Sequence, residues 1–225
     1  LAKINHEKSL LLYGMLIHNS YVMDKLKNLN VNIIDDINTI GKEDIVFIRS
    51  HGVTSKEYFE IEERSFKVYD FTCPFVKKIH DIVSTYSNDG YDVIIIGDDQ
   101  HPEVKGIKGY VNDDKACFVV DDIESLAQIL VKLKNKAIIV CQTTFDNKKW
   151  AEIKEFVSKN PDVIIFDTVC DATKKRQEEA INLSQQVDIM LVIGDKKSSN
   201  TNKLFNVLKA IKPTYFIESV NDIES

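Results

Sequence analysis

A 97-residue offset superimposes two stretches of this chain and narrows what it can fold into. Asp70-Phe-Thr-Cys73-Pro-Phe-Val-Lys77-Lys78 and Asp167-Thr-Val-Cys170-Asp-Ala-Thr-Lys174-Lys175 each set an Asp three residues before a cysteine. Each also sets a Lys pair four and five residues after it. Twenty-four residues beyond either cysteine comes the Gly of a Gly-Asp pair, Gly97-Asp98 or Gly194-Asp195. Self-similarity at a fixed period takes precedence over other fold signals.

A third copy shows in its later parts. Ile33-Ile34-Asp35-Asp36-Ile37 resembles Val119-Val120-Asp121-Asp122-Ile123, and Phe216-Ile217-Glu218 leads to Asp222-Ile223. Leu10-Leu11-Leu12-Tyr13-Gly14 takes the place of the strands ending at Gly97 and Gly194. The pattern predicts three similar α/β units, residues 1–72, 73–169 and 170–225. The first lacks its opening and the last its closing part. Short Val/Ile runs at 44–48, 92–96, 137–140, 163–166 and 188–193 read as strands buried on both faces. Helical patterns at 77–87, 122–134, 150–159 and 174–186 alternate with them. The expected fold is α/β, with small mainly parallel sheets in a pseudo-threefold trefoil around a central site.

The 225 residues, 44% hydrophobic, suffice to bury a core. No apolar run of about 18 residues points to a membrane span, and the opening residues lack the regions of a signal peptide. A net charge of −6 argues against nucleic acid as the main partner. Four dispersed cysteines in such a chain indicate a reducing, cytoplasmic setting rather than a disulfide framework.

Cys73 and Cys170 fall where a strand ends and a helix begins, a position that favours a thiolate. Threefold units would converge three such thiolates on one point. That arrangement suits a cubane iron–sulfur cluster with one open iron, or zinc with a water. Cys117 and Cys141 lie within strand-like runs and read as structural. His18-Asn19, His51-Gly52, His101-Pro102-Glu103, Gln142-Thr143-Thr144 and Ser198-Ser199-Asn200 follow strands, where open parallel sheets bind ligands. Imidazoles, hydroxyls and an amide at helix N-termini can cradle a diphosphate. Glu103 reads either as a general acid of raised pKa or as a first-turn acid favoured by the helix dipole. His6 and His80 have no such setting.

These segments closely resemble the LytB family of 4-hydroxy-3-methylbut-2-enyl diphosphate reductases. The resemblance rests on Ile17-His18-Asn19 with Tyr21-Val22, Ser50-His51-Gly52-Val53, Asp70-Phe-Thr-Cys73-Pro74 and Gly97-Asp-Asp-Gln-His101-Pro-Glu-Val104. Gln142-Thr143-Thr144, Cys170-Asp-Ala-Thr173 with Arg176-Gln177, and Ser198-Ser199-Asn200 complete it, in the family's order over nearly the whole chain. It implies a central [4Fe–4S] cluster with Cys73 and Cys170 as two of three thiolate ligands. His18, His51 and His101 would line the diphosphate and hydroxyl pocket, and Ser198, Ser199 and Asn200 would grip phosphate oxygens. Thr143 would lie beside the substrate hydroxyl and Glu103 would deliver protons to it. The substrate is an allylic diphosphate, the products isopentenyl and dimethylallyl diphosphate, and the electron donor a ferredoxin or flavodoxin. The family's opening Gly-Phe-Cys motif and closing Ala-Gly-Ala-Ser-like loop are not among these residues, so catalysis is expected to need the former. Other readings are a quinolinate-synthase-like cluster enzyme, an inactive diphosphate-binding module and a zinc hydrolase.

Overall fold

The computed structural model describes residues 8–17 and 19–223, without the side chains of residues 20, 21 and 221. The chain forms two compact units. The first holds Leu1–Asp89 and Asp99–Lys115, the second Gly90–Asp98 and Ala116–Ser225.

In the first unit β1 (Leu10–Tyr13), α1 (Ser20–Asn28), β2 (Val31–Ile34), β3 (Ile45–Ile48), α2 (Ser55–Arg64) and β4 (Lys67–Asp70) precede α3 (Pro74–Asn88). All four strands pair in parallel in the order β2-β1-β3-β4. Both faces of the central strands β1 and β3 are covered, which is why those two are apolar without alternation. Leu11, Tyr13, Val46 and Ile48 pack on one side, Leu12, Ile45 and Phe47 on the other. The helix α4 (Pro102–Lys108) also belongs to this unit and packs on α3.

In the second unit β5 (Asp92–Ile96), β6 (Cys117–Val120), α5 (Ile123–Lys132), β7 (Ala137–Cys141), α6 (Asn147–Val157) and β8 (Val163–Ile165) come first. They are followed by α7 (Asp171–Ser184), β9 (Met190–Ile193), α8 (Ser199–Lys209) and β10 (Thr214–Ile217). The order β6-β5-β7-β8 repeats that of the first sheet, again wholly parallel, and β9 and β10 form a parallel pair. Trp150, Ile153 and Val157 of α6 close the core over Ile94, Ile96, Ile139 and Cys141.

The α/β class and the small parallel sheets agree with the sequence reading. One hydrogen bond recurs in every sheet: the Gly after the leading strand donates to the last residue of its neighbour. These bonds are Gly14 to Ile34 (2.8 Å), Gly97 to Val120 (2.8 Å) and Gly194 to Ile217 (3.0 Å). β3, β5 and β7 are buried throughout, as expected. β8 and β9 are not: at the sheet-edge strand β8 Ile164 is exposed and its neighbours are half-buried, and in β9 Met190 and Val192 are buried while Leu191 and Ile193 are exposed. With one partner strand each, β9 and β10 are covered on one face.

Candidate functional site

In the first unit the strand β3 delivers the loop Arg49–Thr54. Ser50 donates through both its N–H (3.2 Å) and its hydroxyl (2.7 Å) to the Leu16 carbonyl. This pins the loop to the segment leading to His18, which itself lies outside the described residues. Arg49 Nε donates to the Gly52 carbonyl at 3.2 Å. Gly52 adopts φ +75°, a conformation open to glycine at little cost. The half-buried rings of His51 and His101 meet edge to face, centroids 5.3 Å apart.

His101 caps α4. Its Nδ1 accepts from the Glu103 N–H at 3.1 Å, so the neutral ring carries its proton on Nε2. Pro102, whose missing N–H is no loss at the first helical position, fixes the entry. Glu103 is 2% exposed. A carboxyl group thus lies buried in the first turn of a helix capped by one of the two paired imidazoles. Both sequence readings of Glu103, acid and dipole partner, meet at that position.

Each cysteine holds the N-cap position of a helix, Cys73 for α3 without a side-chain capping bond and Cys170 for α7 with one. Each also donates its backbone N–H to the carbonyl two residues past the preceding central strand, Cys73 to Ser50 (2.9 Å) and Cys170 to Thr143 (3.0 Å). The Asp and Lys that flank them in sequence form matching ion pairs, Lys77 to Asp70 at 2.6 Å and Lys174 to Asp167 at 3.1 Å. Burial pushes the Asp70 carboxyl upward, but hydrogen bonds from Lys77 and Thr72 outweigh it and hold the group below its ordinary range. At Asp167 burial is likewise outweighed, by Lys154, Trp150 and Lys174, and the carboxyl falls to about 2. The repeated Asp and Lys thus tie each cysteine turn to the helix that follows. The Cys170 sulfur also accepts from the Thr173 N–H (3.3 Å) and touches its hydroxyl at 2.9 Å.

In the second unit Gln142, fully buried, accepts from the Asp98 N–H at 3.2 Å and donates to Thr144 Oγ1 at 3.1 Å. The Thr144 and Ser199 hydroxyls meet at 3.1 Å. Thr143 is buried beside this network. Ser198 caps α8 by accepting from the Thr201 N–H (3.3 Å), and Asn202 clamps the turn through the Lys196 and Ser198 carbonyls. Ser199 and Asn200 therefore open a helix whose first N–H groups suit an anion.

The structure brings His51 and His101 together, with Glu103 in the turn that His101 caps. It joins the Gln142–Thr144 loop to the Ser198–Asn200 turn. Among the described residues no group of three or more His, Cys, Asp or Glu stands ready for a metal ion. Cys141 lies in the core, as its sequence setting suggested. A cavity of about 940 Å³ beside Phe145, Gln177, Ile181, Lys203 and Val207 contains none of the expected site residues.

His80 has a setting that the sequence did not reveal. It is 4% exposed, and burial holds its imidazole down at about 4, so it is neutral at physiological pH. Its register with Val76, Ile79 and Val83 on one helical stripe was the available signal.

A family model described as LytB protein matches residues 1–225. The chain is 41% identical to the 4-hydroxy-3-methylbut-2-enyl diphosphate reductase of Caldanaerobacter subterraneus, over 98% of this chain and 77% of that one. It is 39% identical to the enzyme of the same name from Clostridioides difficile, over 94% and 75%. Among solved structures, the E-1-hydroxy-2-methyl-but-2-enyl-4-diphosphate reductase of Plasmodium falciparum matches with a TM-score of 0.87 at 25% identity, covering 96% of this chain and 69% of that one. An (E)-4-hydroxy-3-methyl-but-2-enyl diphosphate reductase, described as the terminal enzyme of the non-mevalonate pathway, matches with a TM-score of 0.70 at 32% identity, over 96% and 77%.

Proposed function

Because the chain belongs to the LytB family, we propose that it reductively removes the hydroxyl of 4-hydroxy-3-methylbut-2-enyl diphosphate to give isopentenyl and dimethylallyl diphosphate. The overall change adds two electrons and two protons, replaces C–O by C–H and releases water. A ferredoxin or flavodoxin would supply the electrons, in the cytoplasm. The matched hydrogen bonds at Gly14, Gly97 and Gly194 support reading the chain as three repeats, 1–72, 73–169 and 170–225.

The duplicated cysteine setting carries this reading. Two free thiols at helix N-termini, each with its N–H tied to a loop carbonyl, have the chemistry of thiolate ligands. Cys73 and Cys170 would serve as two of the ligands of a [4Fe–4S] cluster. When bound, that cluster would pass the donor's electrons on for carbon–oxygen cleavage.

The chain's own residues would bind and protonate. Ser198, Ser199 and Asn200, with the first N–H groups of α8, would hold phosphate oxygens, and Gln142 would keep Ser199 in place through Thr144. His18, His51 and His101 would add imidazole N–H donors for the diphosphate and the alcohol. Thr143 would hydrogen-bond the hydroxyl. Glu103, buried in its turn, would pass a proton to the departing oxygen. An overall negative protein would thus bind a polyanion through local donors rather than a basic face.

The test is turnover, with a one-electron reductant, by an anaerobically reconstituted holoprotein that includes the Gly-Phe-Cys segment catalysis is expected to need. Formation of both diphosphate products is expected. A holoprotein with full cluster content and no product would refute the assignment.

A further inference from the structure

The His80 ring lies where three segments of the first unit meet. A methyl built on Gly52 would fall 2.8 Å from His80 Cε1, so the ring edge abuts the backbone just after His51. A methyl on Gly106 would lie 3.6 Å from His80 Nε2 and equally far from the His51 and Val53 carbonyls. Gly106 stands three residues after Glu103, one turn along α4. The face of the ring stacks on Tyr110, just beyond the same helix, with centroids 4.0 Å apart and planes 15° from parallel. The ring itself projects from α3, two turns past its cap Cys73.

Its chemistry is unusual for so buried a polar group. Nε2 has no hydrogen-bond partner among the described residues. An unpaired buried nitrogen is costly, and an aliphatic side chain of similar size would avoid that cost. What the imidazole offers here is a thin, flat, uncharged ring. It fills the narrow gap between two glycines and presents a face to Tyr110.

We infer that His80 is a positioning residue for the reductase reaction: its ring sets the spacing between the loop carrying His51 and the helix carrying His101 and Glu103. The inference rests on the reductase reading. In this role His80 acts on none of those three side chains directly and transfers no proton. It acts through Gly52, Gly106 and Tyr110. Removing the ring leaves a gap into which the loop and α4 move independently, displacing the acid from the group it serves. A displacement of about 1 Å can cost on the order of 100-fold in rate.

The experiment compares His80→Ala and His80→Phe with the parent holoprotein for kcat, KM, iron content and hydrogen–deuterium exchange. His80→Ala is expected to keep its iron and to hold KM within about threefold, while kcat falls roughly 10- to 100-fold. Exchange should rise in residues 50–54 and 102–110 but not in the β5–β8 sheet. His80→Phe restores a neutral ring that cannot titrate, and should return kcat to within about fivefold with parental exchange. The inference is overturned by His80→Ala with kcat within twofold of the parent, or by exchange that rises throughout the unit. It is equally overturned by a folded His80→Phe as slow as His80→Ala, which would make the imidazole a proton carrier. If His80→Ala does not fold, His80→Phe decides on the same criteria. A loaded parent without turnover refutes the reductase reading instead, and the exchange pattern still decides whether the ring sets the spacing.

Discussion

Replacing Asp167 by Asn isolates the electrostatic clamp on the Cys170 turn. Asp167 Oδ1 accepts from Trp150 Nε1 at 2.9 Å and pairs with Lys174 at 3.1 Å, while Oδ2 accepts from Lys154 at 2.9 Å. Together these hold the carboxyl at about 2 against an ordinary 3.8, despite the opposing effect of burial. At face value the difference amounts to about 2 kcal/mol. The side chain is 41% exposed, however, and solvent screens both lysines. A contribution of about 1 kcal/mol is the sounder figure. Because the folded value lies below the unfolded one, this stability is fully present above about pH 4 and disappears as the pH falls through 2. Urea denaturation of parent and Asp167→Asn between pH 7 and pH 2 measures it. The parent should be more stable by about 1 kcal/mol near neutrality, and the two curves should converge by pH 2. A gap of constant size across that range would show that the lysines do not stabilise the carboxylate, and the clamp argument would fail.

Further outcomes follow from single contacts. Glu103→Gln should keep the cluster absorbance while turnover falls at least 100-fold, as loss of a positioned general acid requires; undiminished turnover would remove Glu103 from proton delivery. Gly109→Ala would set a methyl 2.2 Å from the Thr54 Cβ, so α4 and the α2 cap must part. A loss of about 1–3 kcal/mol is expected by thermal denaturation, and no loss would mean that these backbones separate freely. Trp150→Ala empties a core position and removes a hydrogen bond to Asp167; a loss of about 3–5 kcal/mol is expected from urea midpoints.

Much of this architecture was legible because its signals are local. The Asp three residues before each cysteine and the Lys four after it marked the two stretches as copies, and in the fold they form an ion pair at both. Strands covered on both faces read as unbroken apolar runs, as at Ile94 and Ile139. β9 departs from that pattern because coverage depends on what lies over a strand, which the run Met190–Ile193 does not encode. His80 was illegible for the same reason. Its meaning comes from Gly52 and Gly106, distant in sequence and joined to it only by packing. Glu103 was flagged by its neighbours His101 and Pro102, yet its near-complete burial emerged only in the folded chain.

Iron and acid-labile sulfide, counted per chain in the anaerobically reconstituted holoprotein that includes the Gly-Phe-Cys segment and in its Cys73→Ser and Cys170→Ser variants, bear most directly on the proposed chemistry. The parent should hold about four of each, and either serine should strip the cluster and its visible absorbance. Variants that retain full iron, sulfide and turnover would show that these two thiols are not ligands.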